Sequence, residues 1–197
     1  GELELAPFFY WAALSSLTSS EVADALVQAW PTVPAQTQEQ ALELHAPEDA
    51  CQAPSASTSA ILSALWPPGA GPRPLVLERL LQVWIFNSFD HGAGEDALAA
   101  GAIYVAASMM SHSCSPNAAW HLDDANSLIL HARVPIQEDE EITIPYLSPS
   151  DLLLPIAERR AILAATKGFN CGCERCSQSC DTTRAFTCPK CSAVAHA

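Results

Sequence analysis

The chain has 197 residues, 49% apolar and 16% charged, a balance that suits a folded domain with a real core and excludes a disordered chain. Its 22 acidic residues against 9 basic ones give a net charge of −13, which argues against a direct grip on nucleic-acid phosphate and suits a basic peptide partner or simple solubility. No run of about 18 uncharged apolar residues occurs, so no segment reads as a membrane-spanning helix, and Gly1-Glu2-Leu3-Glu4 lacks the basic start of an export signal.

Residues 1–74 read as a helical and irregular segment closed by a Pro-rich linker. Thr18-Ser19-Ser20-Glu21 fits a capping box ahead of Val22, Leu26 and Val27 on one helical face, and Pro31 stops that helix. A second helix is expected from about Gln36 to His45. Residues 50–60, rich in Ala, Ser and Pro, read as a loop, and Trp66-Pro67-Pro68-Gly69 through Pro74 as a linker. The almost continuous apolar run from Leu75 to Phe86, broken at Glu78 and Arg79, predicts a buried helix. His91 to Glu95 reads as a loop and Ala102 to Ala106 as a short buried strand. After a polar loop at 111–117, three strands are expected at about 118–122, 127–134 and 140–146. Leu128, Leu130 and Ala132 there alternate with Ile129, His131 and Arg133. Glu158 to Thr166 predicts a short helix. From Phe169 onward there is too little apolar periodicity for a core, so something else must hold the tail.

Cysteine placement supplies that something. Six of the eight cysteines fall within the last 27 residues, and without an export signal such clustering points to metal binding before disulfides. Cys171-Gly172-Cys173-Glu174-Arg175-Cys176 has the C-x-C-x-x-C spacing by which one tight loop presents three thiolates to a tetrahedral zinc. Gly172 is expected to ease the turn. The fourth position has two candidates: Cys180, favoured by local spacing, and Cys114, distant but in a polar loop. Cys188-Pro189-Lys190-Cys191 is a C-x-x-C knuckle and reads as half of a second zinc site. Its other half is expected beyond Ala197, with local closure by Cys180 and His196 as the lesser alternative. A plain zinc ribbon would explain these cysteines but not the elements upstream.

Those elements carry a resemblance. Ser111-His112-Ser113-Cys114-Ser115-Pro116-Asn117-Ala118 resembles the H-S-C-x-P-N signature of SET-domain methyltransferases, and Glu140-Glu141-Ile142-Thr143-Ile144-Pro145-Tyr146 resembles their E-E-I-T-x-x-Y strand. Glu158-Arg159-Arg160 and Phe169 to Cys176 are similar to the family's E-R-R helix and post-SET segment, and Asn87-Ser88-Phe89 to an element of the SET-and-MYND type. The resemblance covers roughly residues 75–176. It implies an α+β, mainly β, β-clip-like SET fold with a knot-like core, a helical N-terminal segment and a zinc-stapled tail. The core would span 75–150, the post-SET helix and zinc segment 151–180, and the partial second knuckle 181–197.

The implied activity is S-adenosylmethionine-dependent methylation of a lysine on a protein substrate, a basic tail being one candidate, in the cytoplasm, the nucleus or both. The resemblance implies that Tyr146 is catalytic, that Asn87, Ser108, Ser111, His112 and Phe169 contact the cofactor, and that Phe89 and Tyr146 line the lysine channel. It also transfers the fourth zinc ligand from Cys180 to Cys114, beside Cys171, Cys173 and Cys176. The chain departs from the family at Ser111, where Asn is usual, at Lys167, where an aromatic is expected, and at Asp139, where Gly is usual. The family's N-terminal G-x-G strand and the MYND finger are not found, so the chain reads as the C-terminal part of a longer enzyme. The alternative is a zinc-stabilised interaction module of the same fold without activity.

Overall fold

The computed structural model describes residues 7–27, 30–90, 101–178, 181, 185–187, 189–191 and 194–196, with 185–187 and 194–196 as backbone only. The expected loop at His91 to Glu95, and Cys180 and Cys188, lie outside the described residues. The chain divides between Met109 and Met110 into two units. Among the described residues no helix is long and apolar enough to cross a membrane.

The first unit is helical: α1 Pro7–Ser15, α2 Ala35–Leu42, a 3-10 turn Asp49–Cys51, α3 Ala56–Leu65 and α4 Pro74–Asn87. The apolar run expected as a buried helix is α4, started by Pro74 in its first turn, where a missing N–H costs nothing. Leu77, Leu80 and Leu81 of α4 bury with Ala13, Leu14, Leu17 and Trp66 in one cluster. Each such leucine contributes about 1.5–3 kcal/mol by leaving water. Trp66 stays in this cluster because Gly71, at φ +89, lets the linker fold onto its ring; a Cβ there would come within 2.6 Å of the indole.

Four expectations for this unit differ from the structure. No helix forms over 18–27, although Glu21 does reach back to the Thr18 N–H at 2.9 Å. The Glu21 carbonyl, which a helix would bond to Ala25, accepts instead from Trp66 Nε1 at 3.1 Å, and the Leu26 N–H bonds Leu65 O at 2.8 Å. Leu26 and Val27 remain exposed. Conversely, the presumed loop at 50–60 contains the start of α3. Ser55 caps it by accepting from the Thr58 N–H at 3.2 Å, and buried Glu78 of α4 accepts from Thr58 Oγ1 at 2.6 Å and from the Ser55 N–H at 2.9 Å. Helix α2 ends at Leu42, shorter than expected. The Arg79 side chain donates to the carbonyls of Leu42, Leu44 and Ala46, which drop out of the helical pattern. Likewise, the strand expected over 102–106 is only β2 Gly101–Ala102, because its antiparallel partner β1 Phe89–Asp90 is two residues long. The chain then coils into α5 Val105–Ser108.

The second unit is built of short strands in two-stranded sheets. β3 Ser111–His112 runs parallel to β6 Thr143–Ile144, and β4 Ala118–Leu122 pairs antiparallel with β5 Leu128–Ala132. The alternation expected in β5 holds from Leu128 to His131, with Leu128 and Leu130 half-buried and Ile129 and His131 exposed, but fails at Ala132, which is exposed as well. The strand expected over 140–146 is regular only at β6; Ile142 is exposed while Ile144 is buried. Helix α6 spans Ile156–Lys167, α7 spans Glu174–Ser177, and β7 Ala185–Thr187 pairs with β8 Val194–His196. Gly168, at φ +74, closes α6 in the left-handed conformation that glycine adopts freely and turns the chain toward the cysteine segment. Gly172 does not carry the turn assigned to it: it is not among the positive-φ glycines described, and a Cβ there would meet nothing within 4 Å.

Candidate functional site

Two distant segments of the second unit are joined by Asn117. Its Oδ1 accepts the Thr143 N–H at 2.8 Å, and its Nδ2 donates to Glu141 O at 2.8 Å and Glu140 Oε1 at 3.1 Å. The Ser113 N–H donates to Ile144 O, continuing the parallel β3–β6 pairing. Asp139 sits at φ +64, the left-handed turn that glycine would occupy most easily, and the turn closes through the Glu140 N–H to Gln137 O. These bonds set His112 and Cys114 beside the segment that ends in Tyr146.

Four cysteines meet on one side of that junction. The sulfurs of Cys114, Cys171, Cys173 and Cys176 all lie within 4.8 Å of one another. Cys114 Sγ is 3.5 Å from Cys176 Sγ and 4.0 Å from Cys171 Sγ, and the Cys114 N–H donates to Cys173 Sγ at 3.4 Å. Tetrahedral ligands at about 2.3 Å from a zinc ion are about 3.8 Å apart, so the spacing fits one ion. The titration behaviour fits as well. Burial pushes the Cys114 thiol up, and burial with its neighbouring cysteines pushes Cys171 up. Burial acts the same way on Cys173, but backbone N–H groups of Cys114 and Cys176 outweigh it and hold that thiol low. Buried thiols this close need a cation to ionise together.

A shell of cations and amides surrounds the sulfurs. Fully buried Arg159 donates from Nη2 to Cys176 Sγ at 3.4 Å and from Nη1 to Asp181 at 2.6 Å. Arg175 donates to Cys114 O at 3.0 Å and to both Asp181 oxygens at 2.9 Å. Arg160 holds the carbonyls of Cys171 and Cys176. Sequence reasoning noted these arginines only as part of the resemblance and gave them no role; Asp181 it did not single out. The available signal was three arginines in a chain with nine basic residues, each close in sequence to the cysteine segment.

On the other side, His112 connects the sulfurs to the tyrosine. Its Nδ1 accepts the Tyr146 backbone N–H at 3.0 Å, and its Nε2 lies 3.3 Å from Cys114 Sγ. An accepting Nδ1 carries no proton, so the hydrogen-bond pattern assigns the ring proton to Nε2, facing the sulfur. Burial, then the Arg159 guanidinium, push the imidazole down to about 4, so the ring stays neutral near physiological pH. The His112 ring is 5.3 Å from Tyr146 and 6.1 Å from Phe169, and the latter two are edge to face at 6.4 Å. The Tyr146 hydroxyl donates to Met110 O, and burial, then Glu141, raise its pKa. Lys167 Nζ lies over the Tyr146 ring, 5.8 Å from its centroid. Ser111 is exposed on β3.

The remaining candidates belong to the first unit. Asn87 is buried, and its Nδ2 donates to His45 O at 2.7 Å and Val83 O at 2.8 Å. Ser108 Oγ donates to Asn87 O at 3.3 Å, so α5 and the end of α4 are tied together. Phe89 packs edge to face on Tyr104 at 5.7 Å. Cys191 is exposed in the described segment 189–191.

Comparison with known proteins adds the following. The family model described as SET domain matches residues 15–147, more than half of the chain. A SET and MYND domain-containing protein of Dictyostelium discoideum is 36% identical over 74 residues, 38% of this chain and 21% of its own length. The histone-lysine N-methyltransferase SET5 of Eremothecium gossypii is 37% identical over 78 residues, 40% of this chain and 15% of its own. The histone-lysine N-methyltransferase SMYD3 of Homo sapiens is 36% identical over 92 residues, 47% of this chain and 21% of its own. The matched segments thus span about a fifth or less of these relatives.

Proposed function

The chain belongs to the SET-domain family, and on that premise we propose that it is part of a protein-lysine methyltransferase that transfers a methyl group from S-adenosylmethionine to a lysine ε-amine. The observation that carries this reading is the convergence of His112, Tyr146 and Phe169, drawn from three separated stretches of sequence, beside the four-cysteine cluster. The Asn87-Ser88-Phe89 element supports a SET-and-MYND type within that family.

When bound, S-adenosylmethionine supplies an electrophilic methyl group on a sulfonium cation. The residues offered to it are aromatic faces and neutral polar groups, which suit a cation. Phe169 would cover it, and His112 and Ser111 would contact it. The accepting amine must be neutral. At the ordinary lysine pKa of about 10.4 that costs roughly 4 kcal/mol near pH 7.4. A narrow, largely apolar passage beside Tyr146 would lower that cost by desolvation. The Tyr146 hydroxyl would orient the amine in line with the methyl group, the main work left to the protein. Zinc, when bound, would supply the positive centre that Cys114, Cys171, Cys173 and Cys176 can share and would staple the tail to the loop of His112 to Asn117, whose passage beside the segment ending in Tyr146 would make the knot-like SET core.

The substrate proposed is a protein lysine, with a basic tail favoured by the net charge of −13. Two of the relatives are named for histone lysines, which motivates a nuclear or cytoplasmic setting. The test is calorimetry of S-adenosylmethionine binding by the complete protein, followed by mass spectrometry of histones and a protein panel after incubation. Methyl groups mapped to substrate lysines support the reading. Donor binding with no methyl transfer to any lysine overturns it in favour of an inactive interaction module.

A further inference from the structure

The chain contains two lysines, Lys167 and Lys190. Lys167 is the last residue of α6, and Gly168, in the left-handed conformation, turns the backbone immediately after it. The half-buried Lys167 side chain lies with Nζ 5.8 Å from the centroid of the Tyr146 ring, within the range in which a ring face attracts an ammonium. That ring is also the one that meets His112 at 5.3 Å and Phe169 at 6.4 Å. Burial holds the Lys167 ammonium below its ordinary pKa, which moves it toward the neutral form that a methyl acceptor requires. A lysine-poor chain thus sets one of its two amines on the tyrosine to which the catalytic role is proposed.

Building on the methyltransferase reading above, we propose that Lys167 is a site of self-methylation in cis, an intrachain amine seated at Tyr146 that accepts a methyl group from the sulfonium donor S-adenosylmethionine. In this step the Nζ lone pair forms the N–C bond, the C–S bond breaks with its electron pair returning to sulfur as a neutral thioether, and the displaced Nζ proton passes to solvent. The four-carbon stem supplies the movement that carries the amine from the ring face to the reacting position. Until a protein substrate displaces it, Lys167 holds the place of the incoming lysine.

The experiment uses the complete protein and two readouts. In the absence of donor, trace acylation with an amine-specific reagent compares Lys167 with Lys190, which is exposed. Followed against pH, the reaction at Lys167 is expected to rise with a midpoint below the ordinary lysine value, because burial favours its neutral form; the same pH profile at both amines means that Lys167 is not seated on the ring and overturns the proposal. With S-adenosylmethionine and no other substrate, peptide mapping is expected to find methylation at Lys167 and not at Lys190. The fraction modified per unit time should not change over a tenfold range of protein concentration, and Lys167→Arg, which keeps the cation but removes the acceptor, should abolish the label. A rate that scales with protein concentration, or methylation of an added protein lysine while Lys167 stays unmodified, overturns self-methylation in cis but leaves the methyltransferase reading intact. Donor binding with transfer to no lysine at all sinks both.

Discussion

The backbone N–H of Tyr146 donates to Nδ1 of His112 at 3.0 Å, while the opposite nitrogen of the same ring faces Cys114 Sγ at 3.3 Å. One imidazole therefore couples the position of the candidate catalytic residue to a candidate metal ligand. His112→Ala is expected to cost about 1 kcal/mol in stability through the unpaired Tyr146 N–H, and to weaken zinc retention by about 10-fold or more through loss of an outer partner. Denaturant unfolding and competition with a chelator measure the two effects separately.

The cysteine set leads to a second expectation. Metal analysis of the chain should find one zinc, and Cys114→Ser should lose it, because a hydroxyl replaces a soft thiolate. Chelation should raise amide exchange from Phe169 through Ser177, a stretch whose packing against Leu147 and Leu163 runs through Phe169 and the four-cysteine cluster. A second tightly bound zinc would show that the Cys188 and Cys191 knuckle closes within the chain.

Acid should act on the first unit through Glu78. Burial alone would raise its pKa, but hydrogen bonds from Thr58, Ser55 and Gln82 prevail and hold it below the ordinary value. The unfolded state then takes up the proton at higher pH than the folded state does. The resulting stability is complete above the unfolded carboxylate pKa and is lost as pH falls through the lowered folded value. Glu78→Gln should cost about 1–3 kcal/mol at neutral pH and flatten the acid limb of the stability profile, as measured by thermal unfolding between neutral and acidic pH.

Asp181 stands between two guanidiniums, Arg159 at 2.6 Å and Arg175 at 2.9 Å, with Arg159 fully buried. Asp181→Ala leaves both without that carboxylate and is expected to destabilise the second unit by about 3 kcal/mol. Replacing a surface carboxylate such as Asp124 should change stability by less than about 0.5 kcal/mol, which provides the control in the same unfolding assay.

What the sequence revealed was mostly local. Helix α4 and the β4–β5 hairpin follow from apolar runs and alternation that their surroundings reinforce. The helix expected at 18–27 failed because Trp66, far along the chain, takes the Glu21 carbonyl. Helix α3 was missed because its low-complexity Ala and Ser hide a Ser55 cap that Glu78 supports from another helix. At the site, residue types and spacing brought His112, Cys114 and Tyr146 to notice, but the pairing of the His112 ring with the Tyr146 backbone spans 34 positions and has no local signature. The same holds for Arg159, whose partners Cys176 and Asp181 are set only once the tail folds back on α6.

Tyr146→Phe tests the central claim most directly, since it keeps the ring contacts with His112 and Phe169 and the backbone bond to Nδ1 while removing the hydroxyl. With the complete protein, methyl transfer to lysine and S-adenosylmethionine affinity are measured side by side on the wild type and the variant. The expected result is a fall in the transfer rate on the order of 100-fold or more with donor affinity changed by less than about threefold. An unchanged transfer rate in a folded variant would contradict the assignment of Tyr146 as the residue that positions the reacting amine.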